Sequence, residues 1–301
     1  MSARLPSLRP GDTLNIAFSL FLLGLTALFY DRIPVAGNLL LLYASLAFFQ
    51  GVLVFISGYN SFLTLTRDII FPVLSILIVF DSLGLIVHPL NPHDLDYVLI
   101  RIDYLLFGGY PTVFFEKFMH PVLTDILQVA YSTYYFLPVI LGVVLKLRGQ
   151  REDFEYALFL ILLCFYLSYV GYLLVPALGP RYAMEHLHER ELEGFLVAHP
   201  IQNFLNLLEG VKRDAFPSGH TGIALTVLFL SYRFARDLFR LLLVPVLLLI
   251  LATVYCRYHY AVDVFAGVLL AVVTVASGGV YYRFRQKRQC DQKDIPPCRP
   301  F

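Results

Sequence analysis

Long apolar runs separated by short polar segments dominate the chain, near residues 13–30, 34–57, 69–88, 121–145, 156–178, 218–238, 241–257 and 260–282. Helices of that length and apolarity match the ~30 Å hydrocarbon core of a bilayer, where a helix satisfies its own backbone polar groups. The pattern predicts an all-α, polytopic transmembrane helical bundle of about eight spans. The 218–238 run is the weakest, because it is uncharged only from Thr221 to Tyr232 and Arg233 and Arg236 must snorkel at the membrane edge. Residues 89–120 set Pro89, Pro92, Gly108, Gly109 and Pro111 among charges and aromatics, which reads as interfacial helices instead of a span. The expected organisation is N-terminal transmembrane helices (1–88), an interfacial segment (89–120), a transmembrane core carrying the chemistry (121–282) and a basic cytoplasmic tail (283–301). Asp81, inside the third run, is expected to face a cavity or a partner within the bundle.

A composition 58% hydrophobic and 15% charged fits an integral membrane protein, and a net charge of +1 gives no reason to expect a nucleic-acid partner. Cys164 and Cys256 fall in apolar runs and Cys290 and Cys298 in the polar tail, so no disulfide framework is indicated. The first apolar run lacks a small-residue cleavage site after it and reads as a retained span. With eight spans both termini share a face. That face, with the loops near Arg67, Lys146 to Arg151 and Arg233 to Arg240, holds 15 of the 23 Lys and Arg, which predicts that it is cytoplasmic. Short loops and tails favour a bacterial inner (cell) membrane, with a Golgi or ER membrane as the eukaryotic equivalent.

Three polar islands interrupt the second half: Gly179-Pro180-Arg181-Tyr182, Asp214 to Thr221, and Arg257 to Asp263. All fall on the non-cytoplasmic face. Pro217 and Ser218 open a helix whose free N–H groups, with Gly219 permitting close approach, suit an anion, and Arg181 and Arg257 suit phosphate oxygens. His259 and Asp263 are four residues apart, so the carboxylate can orient the ring while its other nitrogen attacks. His220 offers a second imidazole for acid–base work. Lys212, Arg213 and Tyr182 are candidate headgroup contacts. A Ser218/His259 dyad of the intramembrane protease kind fits less well, because Phe216 stands where a Gly is usual and the arginines are left without a task. A metal reading of Glu185 to Glu189 fails at Leu192, where a second His is needed, so that segment reads as a lid-like loop.

These residues resemble the type 2 phosphatidic acid phosphatase superfamily, whose second motif matches Pro217 to His220 and whose third matches Arg257, His259 and Asp263. The resemblance implies a six-helix phosphatase-like core and a metal-independent, cofactor-free reaction through a phosphohistidine. On it His259 is the nucleophile, Asp263 its partner and His220 the acid, while Arg181, Ser218, Gly219 and Arg257 hold phosphate. The implied partners are a lipid phosphate substrate and membrane lipids. The first motif departs from the family, with Leu174 in place of a Lys and Tyr182 in place of a Pro, and only Tyr258 separates Arg257 from His259. These departures, with Asp103, Gly108, Pro111, Asp125 and Tyr131, resemble the inositol phosphorylceramide synthase branch, which implies lipid phosphotransfer as the alternative to hydrolysis. A non-catalytic lipid-phosphate transporter is the third expectation.

Overall fold

The structure is a computed structural model that describes residues 8–198, 200–203 and 213–291, the last six of these by backbone alone. The described residues form helices and connecting turns without strands. Six helices are long and apolar enough to cross a membrane: α1 (Pro10–Leu28), α2 (Ala36–Ile56), α3 (Ser61–Leu90), α8 (Arg151–Leu174), α10 (Arg236–Tyr255) and α11 (Ala261–Asp291), the last over Ala261–Arg285. Two further pairs pass together but are bent. They are α4 (Asp96–Phe107) with α5 (Pro111–Phe118), at 62°, and α6 (Pro121–Tyr135) with α7 (Leu137–Leu147), at 53°. The chain is therefore an integral, polytopic helical bundle.

The bends have local causes. Gly108 adopts a left-handed conformation (φ 68°) that closes α4, and Pro111 then opens α5. Between α6 and α7, residues 133–135 tighten into a 3₁₀ turn before Pro138, which has no N–H to continue the ladder and crowds the carbonyl four residues earlier. The expected span at 121–145 is thus a broken one, and the expected interfacial segment is the other bent pair.

Helix α8 is the central helix: 61% of its most apolar window is buried, against 33% for α2, α3 and α11. It packs on α1, α3, α7, α11 and on α9 (Gly219–Phe234). Helix α9 has only 16 residues whereas α10 has 20, and the two are joined at Ala235. Antiparallel from a common level, they leave the N-terminus of α9 about 6 Å short of the end of α10, so Ser218 and His220 are recessed. Arg233 and Arg236 at the far end lie over Tyr156 and Tyr232. Where α9 meets α11, a Cβ on Gly267 would fall 2.6 Å from the Ser218 carbonyl oxygen and 2.8 Å from Thr221 Cβ. No other residue allows that approach.

The N-terminal helices are joined to this core by buried polar groups. Asn15 accepts from Ser75 Oγ (2.7 Å) and from the Tyr166 hydroxyl on α8, and donates to Gln50 Oε1 (2.7 Å). Nearer the helix ends Arg67 and Arg9 bind Asp12, Arg9 binds Asp68 at 2.6 Å, and Lys146 binds Asp68. Asp81 does not face inward as expected: it is exposed on α3. Its neighbour Phe80 takes the inward position, and one residue is a rotation of about 100° on a helix.

Candidate functional site

The first and third islands lock together through main chain: Arg181 N–H donates to the Arg257 carbonyl (3.0 Å). Ser218 N–H donates to the Asp263 carbonyl (3.0 Å), which ties the second island to the third. Ser218 is the N-cap of α9, accepting from Thr221 N–H at 3.3 Å. A Cβ on Gly219 would fall 2.4 Å from the Tyr172 hydroxyl oxygen, so a side chain there would have to displace Tyr172.

His259 sits between α10 and α11 with its Nδ1 2.7 Å from the Ala215 carbonyl oxygen. A carbonyl only accepts, so Nδ1 carries a proton. Asp263 Oδ2 lies 3.6 Å from the same nitrogen and accepts the Tyr260 N–H at 2.7 Å. The ring is thus oriented chiefly by the carbonyl, with the carboxylate as a close counter-charge. Nε2 is directed at His220 Nδ1, 3.3 Å away. The two imidazoles meet directly, and a phosphorus bound to His259 would have to part them. Burial works against a charged His259 ring, but Asp263, Asp214 and the Ala215 carbonyl outweigh it and raise its pKa.

His220 is wedged between Tyr131 and Tyr134, with ring centroids 4.4 and 4.1 Å away. Its Nε2 is buried and has no hydrogen-bond partner among the described residues. Tyr131 stacks in turn on Tyr258 (4.1 Å, 17°), and the Arg181 guanidinium lies 5.6 Å over Tyr258 and 5.6 Å over Tyr182. An aromatic column thus connects Arg181 to His220.

The other predicted contacts are engaged elsewhere. Arg257, with φ at 63°, donates from Nη2 to Glu116 (2.8 Å) and to the Arg190 carbonyl (2.6 Å). Arg213 pairs with Asp94 through two contacts of 2.6 and 3.0 Å. Tyr182 is exposed beside Arg181, and Lys212 lies outside the described residues. The loop read as lid-like is held down at its base, since Glu189 N–H and Arg190 Nη1 both reach Glu116 and His188 Nε2 lies 3.2 Å from Thr112 Oγ1. Burial beside Arg257 lowers the His188 pKa to about 4, so that ring is neutral at physiological pH.

Several residues that hold the site were not singled out for that task from sequence. Asp96 accepts from Leu178 N–H (2.9 Å), Gly179 N–H (2.9 Å) and the Tyr260 hydroxyl (2.7 Å). Seven residues on, Asp103 accepts from Ala261 and Val262 N–H (2.9 and 2.8 Å), capping α11. One face of α4 therefore braces the first and third islands, and the spacing of two acidic residues by seven on a helix was its signal. Asp214 lines a cavity of about 90 Å³ together with His220, Tyr134 and Tyr172. Burial pushes its carboxyl up to about 6 against the pull of His259. Among the described residues no cluster of three or more His, Cys, Asp or Glu is placed to hold a metal ion.

The fold and the juxtaposed histidines define an integral membrane protein with a buried polar site among its helix ends. A family model described as the PAP2 superfamily matches residues 98–277, more than half the chain, and the protein belongs to that superfamily. Its function is accordingly of the phosphatase or phosphotransferase type. Comparison with curated proteins and with solved structures gives no match.

Proposed function

We propose that the protein cleaves a phosphate ester or pyrophosphate of a membrane lipid by double displacement through a phosphohistidine on His259, without a metal. The observation that carries this reading is the contact of His259 Nδ1 with the Ala215 carbonyl, which reserves Nε2 for attack, directed at His220. In the reactive state the pair holds one shared proton. As phosphate parts the rings, His220 keeps that proton and Nε2 of His259 forms the N–P bond. The P–O bond to the lipid breaks, and its oxygen takes the proton from His220 Nδ1. Water then attacks phosphorus, the N–P bond breaks, and His220 Nδ1 accepts the water's proton. The N–H groups at the start of α9 and Arg181 bind the phosphoryl oxygens. Arg257 joins them once it exchanges Glu116 for phosphate. The recessed site lies on the non-cytoplasmic face.

A second reading, transfer to a lipid alcohol as in inositol phosphorylceramide synthesis, is favoured by the cavity at His220, whose walls are mostly apolar and aromatic, with Asp214 and His220 at one end. It uses the same covalent intermediate and replaces water by the alcohol. Both are tested with protein purified in detergent and EDTA and supplied with phosphatidic acid, a polyprenyl pyrophosphate, or phosphatidylinositol with ceramide. Free phosphate supports hydrolysis, and a new phospholipid without free phosphate supports transfer. Full turnover by His259→Ala overturns the covalent mechanism on His259, and the appearance of neither product returns the protein to a transport role.

A further inference from the structure

The cavity that touches His220 and Asp214 continues inward. Its upper part is walled by Phe80 of α3, Tyr134, and Phe165 and Tyr169 of α8. A second cavity of about 50 Å³ lies beyond it, and the two share Val73, Ile76, Pro138 and Val139 as walls. The inner one is lined by Gly142, Ala157 and Ile161 and ends at Asp68, which is bound to Arg9 and Lys146. From Phe80 to Asp68 along α3 the path is about 18 Å at 1.5 Å per residue, longer than one half of a ~30 Å hydrocarbon core. Helix α3 lies outside residues 98–277, so this wall belongs to a part of the chain that the family match does not cover.

Resting on the phosphatase or transferase reading above, we propose that this groove seats one linear hydrocarbon chain of the lipid phosphate, with the phosphate at His259 and the methyl end near Gly142. The chemistry of the lining fits: aromatic and branched aliphatic walls remove methylenes from competing surroundings, while the ionic floor at Asp68 stops an apolar chain end. A chain seated along both cavities must pass the residues they share, Val73, Ile76, Pro138 and Val139, where an unbranched chain asks for less width than a methyl-branched isoprenoid. Pro138 is also where α6 and α7 bend, so the kink that breaks the helix supplies part of the wall.

The test measures kcat/KM of the detergent-purified protein on butyl, dodecyl, hexadecyl and farnesyl phosphate, for wild type, Val139→Trp and Gly142→Leu. Each methylene denied burial costs up to about fourfold relative to water, and less where detergent takes it up. Val139→Trp is expected to lower hexadecyl phosphate turnover by at least about tenfold and leave butyl phosphate within about twofold. Gly142→Leu, placed deeper, is expected to penalise hexadecyl phosphate alone. Equal losses on butyl and hexadecyl phosphate, or none on either, overturn the groove, and faster turnover of farnesyl than of dodecyl phosphate overturns the linear-chain assignment. Independently of turnover, hexadecyl phosphate with a photoreactive diazirine at its chain end is expected to label residues 138–161. Labelling confined to the outward faces of the bundle refutes the groove. Labelling in the groove by a protein that turns over nothing supports the groove and counts against the catalytic reading only.

Discussion

Replacing Asp96 removes the acceptor for three donors at once: Leu178 N–H, Gly179 N–H and the Tyr260 hydroxyl, all within 2.7 to 2.9 Å of one buried carboxylate. Each buried donor left unsatisfied costs about 1–3 kcal/mol. Because the three share one site and partial relaxation is expected, Asp96→Ala should cost about 3–5 kcal/mol, not the full sum. Asp96→Asn keeps one acceptor oxygen but turns an amide towards a main-chain N–H, for about 2–3 kcal/mol. For a chain of this size that is an apparent melting shift of roughly 5–12 °C, measured by thermal unfolding in detergent. Tyr260→Phe removes one of the three contacts, so the double variant should be less destabilised than the sum of the singles by about 1 kcal/mol. The same variants should lower kcat more than they raise KM, since the brace aligns the first and third islands without touching substrate. A melting temperature within 1 °C or so of wild type for Asp96→Ala, or strict additivity with Tyr260→Phe, would refute the brace.

Further outcomes follow from the other contacts. His259→Ala should abolish labelling by a radioactive lipid phosphate, whereas His220→Ala should still bind substrate but stall at leaving-group departure, forming labelled enzyme only slowly and losing about 10²–10⁴-fold in turnover; equal labelling of wild type and His259→Ala excludes this nucleophile. The His259 pKa is raised in part by the charge of Asp214, so the shared proton is lost as pH climbs through that raised value. Asp214→Asn removes the negative charge, and the alkaline limb of kcat/KM should move to lower pH; an unmoved limb would count against the coupling. Glu116→Gln frees Arg257 from a charged partner 2.8 Å away and should lower KM for the phosphate several-fold; a raised KM would mean that Glu116 positions Arg257 productively. Asp12→Ala removes the carboxylate that Arg67 binds and one of those that Arg9 binds, Asp68 remaining to Arg9, and should cost about 3–5 kcal/mol with little change in kcat, read by thermal unfolding beside activity.

The helices were legible because a bilayer imposes a simple requirement on length and apolarity, and the three islands because charged and histidine side chains stand out against that background. The short sixth run was correctly seen as marginal: Arg233 and Arg236 end it, and α9 has 16 residues. The braces on α4 were harder to see for a physical reason. Asp96 and Asp103 act on backbone amides 82 to 159 positions away, and an amide leaves no mark in the identity of the residue that carries it. Asp103 drew notice only through the family resemblance. Asp214 was passed over as part of an island whose histidine and serine carried the pattern. Asp81 was expected inside because it is charged, yet helical phase gave the inward place to Phe80, a distinction of one position that charge alone does not resolve.

The polar ties among the first three spans bear on how the chain is made. Asp12, Asn15, Gln50 and Ser75 lie on three successive helices and satisfy one another through the contacts of Gln50 with Asp12 and Asn15, and of Ser75 with Asn15. As the ribosome delivers these spans in order, they can assemble into a self-satisfied unit and move into lipid before the remainder is synthesised. Asn15 then keeps room on its oxygen for one late arrival, the hydroxyl of Tyr166 on the central helix. The opening third of the chain thereby presents a waiting socket, and docking of α8 into it sets the orientation from which the whole reactive half is subsequently assembled.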